Sequence, residues 1–114
     1  MSSRTRLALA LSIAFAAAAL WSSPAYAQSA ISGVVRDESG AVMPGVSVEA
    51  ASEALIEKVR SAVTDENGAY RMIDLRPGNY KITFTLQGFN VVIRELELPS
   101  NFVATINADL KVGT

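Results

Sequence analysis

The sequence predicts an all-β fold, a seven-stranded antiparallel β-sandwich preceded by a cleavable helical leader. Three observations carry this. Apolar and polar residues alternate with period two in most segments between turn signals, the mark of half-buried antiparallel strands. The run Thr64-Asp65-Glu66-Asn67-Gly68-Ala69-Tyr70-Arg71-Met72-Ile73-Asp74-Leu75-Arg76-Pro77-Gly78-Asn79-Tyr80 reads as strand, turn, strand, corner and strand. Asn67-Gly68 supplies the left-handed backbone that a tight hairpin needs, and Pro77-Gly78 gives a fixed φ followed by a residue free to take positive φ. The strands are also short and evenly spaced, which favours two packed sheets over a barrel or an α/β fold.

The leader comes first. Arg4 and Arg6 make a basic start, Leu7 to Leu20 form an apolar and small-residue run, and Pro24-Ala25-Tyr26-Ala27 closes it. Small residues at Ala25 and Ala27 fit the signal-peptidase rule and place cleavage between Ala27 and Gln28. A membrane-spanning helix is the alternative, but this run of roughly 14 residues is shorter than the 18 or so that a bilayer asks for. The domain division is therefore a signal peptide over 1–27 and one folded domain over 28–114, with no transmembrane segment expected in the mature chain.

Removing 27 of the 114 residues leaves 87, enough for one small core. The leader holds two of the ten basic residues and none of the eleven acidic ones, so the mature chain sets eight against eleven, a net charge of −3. Its basic residues are scattered among acids, without the clustering that phosphate neutralisation requires, so no nucleic-acid partner is expected. The chain has no cysteine and no histidine. Packing must therefore hold the domain without disulfides. The usual general base, the Ser-His-Asp triad and the common zinc and copper sites are ruled out together.

Seven strands follow in order. Ile31 to Asp37 ends at the turn Asp37-Glu38-Ser39-Gly40, and Gly45 to Ala51, entered through Pro44-Gly45, turns Val46, Val48 and Ala50 to one face. The stretch from Ala50 to Arg60 has helical propensity, with Ala51, Leu55 and Val59 on one helical face. A loop over Ser52 to Ala54 followed by a strand from Ile56 to Thr64 is preferred, because pairing overrides propensity; Val59, Ser61 and Val63 would face inward and Lys58, Arg60 and Ala62 outward. Ala69 to Ile73 is the fourth strand. In the fifth, Gly78 to Leu86, inward Tyr80, Ile82, Phe84 and Leu86 alternate with Lys81, Thr83 and Thr85. The sixth starts after Gly88 with Phe89, Val91 and Ile93 inward, yet Leu96 and Leu98 have the opposite parity, which calls for a β-bulge near Arg94-Glu95. Phe102, Ala104, Ile106, Ala108 and Leu110 mark the seventh, and Lys111 to Thr114 reads as a tail. No internal repeat or low-complexity tract is evident after the leader.

Few residues offer chemistry. Asp65, Asn67 and Gly68 resemble the start of a calcium loop, but the closing acid is missing and a plain turn accounts for them. Leu75-Arg76-Pro77-Gly78-Asn79-Tyr80 has the form of a tyrosine corner, with Tyr80 bonding back to upstream backbone. Tyr70, Tyr80 and Phe89 are the aromatics that could stack on a sugar ring; alternation with charged neighbours places the tyrosines inward instead. Carboxylate pairs at Asp37-Glu38, Asp65-Glu66 and Glu95/Glu97 suit solvated faces better than glycoside hydrolysis. No enzyme activity, metal or cofactor is expected.

Read in order, Ile31-Ser32-Gly33-Val34-Val35-Arg36-Asp37-Glu38-Ser39-Gly40, Met43-Pro44-Gly45-Val46-Ser47-Val48, Thr64 to Tyr70, Leu75 to Tyr80 and Gly88-Phe89 resemble the carboxypeptidase regulatory-like domain family. The resemblance implies a transthyretin-like or prealbumin-like sandwich, also grouped with carbohydrate-binding-like folds. In the peptidases this domain is an accessory to a separate zinc-bearing catalytic domain, and without histidine no catalytic role carries over to any residue here. A leader followed at once by such a domain, closing at Ala108-Asp109-Leu110-Lys111-Val112-Gly113-Thr114, is similar to the N-terminal extension of bacterial TonB-dependent outer-membrane receptors. The expected role is a docking or spacer module of the periplasm or outer membrane that meets a protein partner of the cell envelope through sheet faces, loops or an edge strand. Arg94, Glu95 and Glu97 could act as edge charges that prevent strand addition. A freestanding carbohydrate-binding module is the rival and would need exposed aromatics side by side. A transthyretin-like hydrolase is disfavoured by the lack of histidine.

Overall fold

Period-two alternation resolves into eight short strands in the computed structural model, which describes residues 28–113. They are β1 (Ser29–Asp37), β2 (Ser47–Ala51), β3 (Val59–Val63), β4 (Ala69–Leu75), β5 (Gly78–Thr85), β6 (Val92–Leu98), β7 (Val103–Thr105) and β8 (Ala108–Leu110). The expected leader over 1–27, and with it the expected cleavage between Ala27 and Gln28, lies outside the described residues; Gln28, the first described residue, is exposed.

Two sheets form. One runs β3-β2-β5-β6, all antiparallel; the other places β4 on one side of β1 and β7 and β8 along the other. The predicted seventh strand is thus split, and it runs parallel to β1, not antiparallel. The split is local. Ala30 pairs Val103 and Val35 pairs Ala108, the same offset in sequence, so β7 and β8 occupy one strand position interrupted at Ile106-Asn107. Across the interruption Ile106 N donates to Ser32 O at 2.8 Å, and Val34 N donates to the Asn107 side-chain Oδ1 at 2.8 Å. Gly33 permits this approach, since a Cβ there would lie 1.9 Å from Ile106 O.

The inner faces meet in one apolar cluster in which Ile31, Val35, Val46, Val48, Ala50, Leu75, Ile82, Phe84 and Leu110 are fully buried. The valine, isoleucine, leucine and phenylalanine side chains among them each contribute roughly 1.5–3 kcal/mol on burial. Every strand and every fully buried core side chain among the described residues lies between Ser29 and Leu110.

Three inward assignments are corrected. In β3, Arg60 and Ala62 lean to the core while Val59 and Val63 are 44% and 65% exposed. The cause is register: Ala50 pairs Arg60 and Val48 pairs Ala62, and cross-strand partners share a face, so the buried β2 residues take Arg60 and Ala62 with them. Lys58, at φ 66°, breaks the backbone just before, so the strand begins at Val59 and not at Ile56; no helix forms over 52–58. In β6 there is no bulge. Pairing with β5 runs unshifted from Gly78–Leu98 to Phe84–Val92, which turns Val92, Leu96 and Leu98 inward and leaves Val91 and Ile93 exposed. The parity conflict arose from counting Phe89 and Val91 as part of a strand that starts only at Val92. Phe102, third, is 51% exposed, preceding β7 instead of packing beneath it.

The expected tail is also paired. Val112 bridges Phe89, Asn90 N donates to Lys111 O at 2.8 Å and Gly113 N donates to Gly88 O at 2.9 Å. This strap ties the end of the described chain to the turn between β5 and β6.

Candidate functional site

Turn chemistry is concentrated in two loops built alike. Asp37-Glu38-Ser39-Gly40-Ala41 and Asp65-Glu66-Asn67-Gly68-Ala69 differ only at their third residue. In each, the aspartate N–H donates to the alanine carbonyl, the glycine N–H donates to the aspartate carbonyl, and the carboxylate Oδ1 accepts from the third and fifth backbone N–H groups. Ser39 Oγ adds a bond to Asp37 Oδ1 at 2.6 Å, and with the backbone donors it holds the Asp37 carboxyl below its ordinary value. These aspartates are therefore engaged as turn caps. Among the described residues no group of three or more carboxylates is placed to hold a metal ion.

The Asn67-Gly68 turn differs from a simple hairpin in two respects. Only Gly68 is left-handed, at φ 71°, and the strands it joins, β3 and β4, lie in different sheets. Gly68 is required twice over, since its Cβ would also sit 2.7 Å from Val35 O. At Pro77-Gly78, the Tyr80 hydroxyl donates to Arg76 O at 2.6 Å, the geometry of a tyrosine corner. Ser52 Oγ ties the same corner to the 52–58 loop by donating to Asn79 O at 2.5 Å.

The aromatic candidates are used internally. Tyr70 is 4% exposed; its ring meets Phe84 edge-on at 5.6 Å and its hydroxyl donates to Ile106 O at 2.5 Å. Burial pushes the phenol of Tyr70 above its usual range and does the same for Tyr80. Phe89 is half-buried against the core. Among the described residues the exposed large aromatic ring is that of Phe102, 51% exposed.

What the surface does offer is sheet edge. Glu95 and Glu97 project outward on β6, with Glu95 across from Lys81 and Glu97 across from Asn79. A shallow open groove at that end is lined by Val59, Asn79, Lys81, Glu95 and Glu97. Lys58 and Glu53 also line it and pair at 2.9 Å, which holds the exposed Glu53 carboxyl low. On the opposite flank each sheet has one of its two borders, β3 in one and β4 in the other. Arg60 crosses between them, donating to Ile73 O at 2.9 Å and to Glu57 Oε1 at 2.8 Å. Sequence reasoning missed Val59, Ser61 and Val63 as surface residues; the pairing of β3 with buried Val48 and Ala50 is the signal that places them there.

A model of the carboxypeptidase regulatory-like domain matches residues 30–111. None of the curated proteins matches the sequence. Among solved structures, the Bacillus anthracis TIE protein is similar at 14% identity and TM-score 0.65, over 75% of this chain and 17% of that one. The 3-chlorocatechol 1,2-dioxygenase of Rhodococcus opacus 1CP gives 12% identity and TM-score 0.63, over 78% and 61%. A streptococcal ancillary pilin gives 18% and 0.60, over 75% and 33%. At these identities the likeness is one of fold, and this chain spans only part of each protein's length.

Proposed function

The chain belongs to the carboxypeptidase regulatory-like domain family, and from that premise we propose that it is a non-enzymatic, exported docking or spacer module of the cell envelope, the N-terminal domain of a TonB-dependent receptor-type uptake system in the outer membrane. The observation that carries the reading is the order of parts: a leader with a signal-peptidase site at Ala27 runs straight into a family domain that begins at residue 30. Structure adds to it. The polar groups that a catalyst would use are tied up as turn caps at Asp37 and Asp65 and as a corner at Tyr80. With no histidine or cysteine in the sequence, a general base or soft-metal site has no obvious candidate. The sugar-binding alternative needs a stacking platform, and Tyr70 and Tyr80 are buried.

The test is fractionation of cells carrying the native gene, probed with an antibody to this domain and combined with the reading frame beyond the Thr114 codon. The expected result is an envelope-associated protein cleaved after Ala27, with an in-frame plug and barrel downstream. Retention of the uncleaved chain in the cytoplasm would overturn export; a stop codon after Thr114 would leave a freestanding module and overturn the receptor assignment.

A further inference from the structure

The two sheets have four free borders, and three of them are closed to a further strand. On β4, hydrogen-bonded pairing with β1 takes Tyr70 and Met72, so the backbone of Ala69, Arg71 and Ile73 faces outward. Asp65 already occupies both groups of Ala69, and Arg60 occupies Ile73 O. The border made by β7 and β8 is broken at Ile106-Asn107. On β6 the outward backbone belongs to Ile93, Glu95 and Glu97, whose charges repel an added copy.

The border at β3 is open. Ser52 N donates to Lys58 O and Thr64 N to Val46 O, which fixes the alternation: Arg60 and Ala62 bond toward β2, while Val59, Ser61 and Val63 present their N–H and C=O groups to the edge. These groups have no partner among the described residues, and two of the three side chains beside them are exposed valines.

We propose that β3 pairs antiparallel with β3 of a second copy, about a two-fold axis at Ser61, joining the two four-stranded sheets into one continuous sheet. The sequence of the edge is self-complementary in that register. Val59 falls opposite Val63 of the second copy, Arg60 opposite its Ala62, and Ser61 opposite its own equivalent. The outward-facing groups of Val59, Ser61 and Val63 meet one another in the hydrogen-bonded positions. No like charges face each other: left-handed Lys58 turns the chain off the edge before Glu57 could meet Asp65 of the second copy. The same operation on β6 would set Glu95 against Glu95, so charge selects between the two edges of this sheet. The contact is isologous, as closed two-fold dimers require.

The test uses residues 28–114. Sedimentation across a concentration series up to about 1 mM, suited to small transient interfaces, is expected to show a monomer–dimer equilibrium. Ser61→Glu, which places two carboxylates across the axis at an exposed site, is expected to weaken it about tenfold or more. Because the chain has no cysteine, Ser61→Cys gives a second reading: oxidation should cross-link it as a dimer about tenfold faster than Glu95→Cys, since paired Cα atoms in an antiparallel ladder fall within disulfide reach. A monomer throughout, a dimer that Ser61→Glu leaves unchanged, or equal cross-linking of the two cysteine variants would overturn the proposal. Should Ser61→Glu fail to fold, the cysteine comparison decides.

Discussion

Single residues settle the corners. Tyr80 and Tyr70 each donate a buried hydroxyl to a backbone carbonyl, Arg76 O and Ile106 O. Replacing either by phenylalanine leaves a carbonyl short of a partner at a cost of about 1 kcal/mol, read as a lower urea midpoint at unchanged slope. The same phenols set an alkaline limit. Burial raises their pKa above the unfolded value of about 10. Below that pH both states keep the proton and the stabilisation is whole. Above it the unfolded chain releases the proton first, so stability falls as pH climbs toward the folded pKa. Unfolding midpoints between about pH 8 and 12 should drop, and Tyr70→Phe should flatten the drop. The corner was legible at Leu75 to Tyr80 because its chemistry is local; the partner of Tyr70, 36 residues away, was not.

At the scale of elements, β6 supplies the sharpest comparison. Ile93 faces solvent and Leu98 faces the core in an unbulged strand. Ile93→Thr is expected to stay within about 0.5 kcal/mol of the parent, whereas Leu98→Ala should cost about 2–5 kcal/mol. A bulge at Arg94-Glu95 would have buried Ile93 and made both substitutions costly, so thermal or urea unfolding of the pair separates the two arrangements. β5 was readable from sequence because Tyr80, Ile82 and Phe84 alternate without interruption between clear breaks. β3 was not: its five residues carry valines on the outer face, and parity alone assigns them to the wrong side. At a border like this one a small hydrophobic side chain can stand in water because a neighbour strand, not its own polarity, fixes its direction.

At the scale of the whole molecule, closure depends on the chain's last described segment. The strap between 111–113 and Gly88, Phe89 and Asn90 adds backbone bonds to a contact between the two sheets' ends, where β6 approaches β8. Deleting Lys111 to Thr114 should therefore lower stability by about 1–3 kcal/mol for the two lost hydrogen bonds and the newly exposed apolar surface, while a strand-dominated circular dichroism spectrum persists. Loss of all structure on that deletion would show that the strap is needed to fold at all. The sequence by itself determined the all-β class, the turn chemistry at Asp37, Asp65 and Pro77-Gly78, and the family, because those signals lie within a few residues of one another. Only the tertiary structure decided the parallel course of β7 and β8, the outward faces of β3 and β6, and which edge stays open. Each of those depends on a partner strand distant in sequence, and a one-residue change of register reverses every side chain it touches.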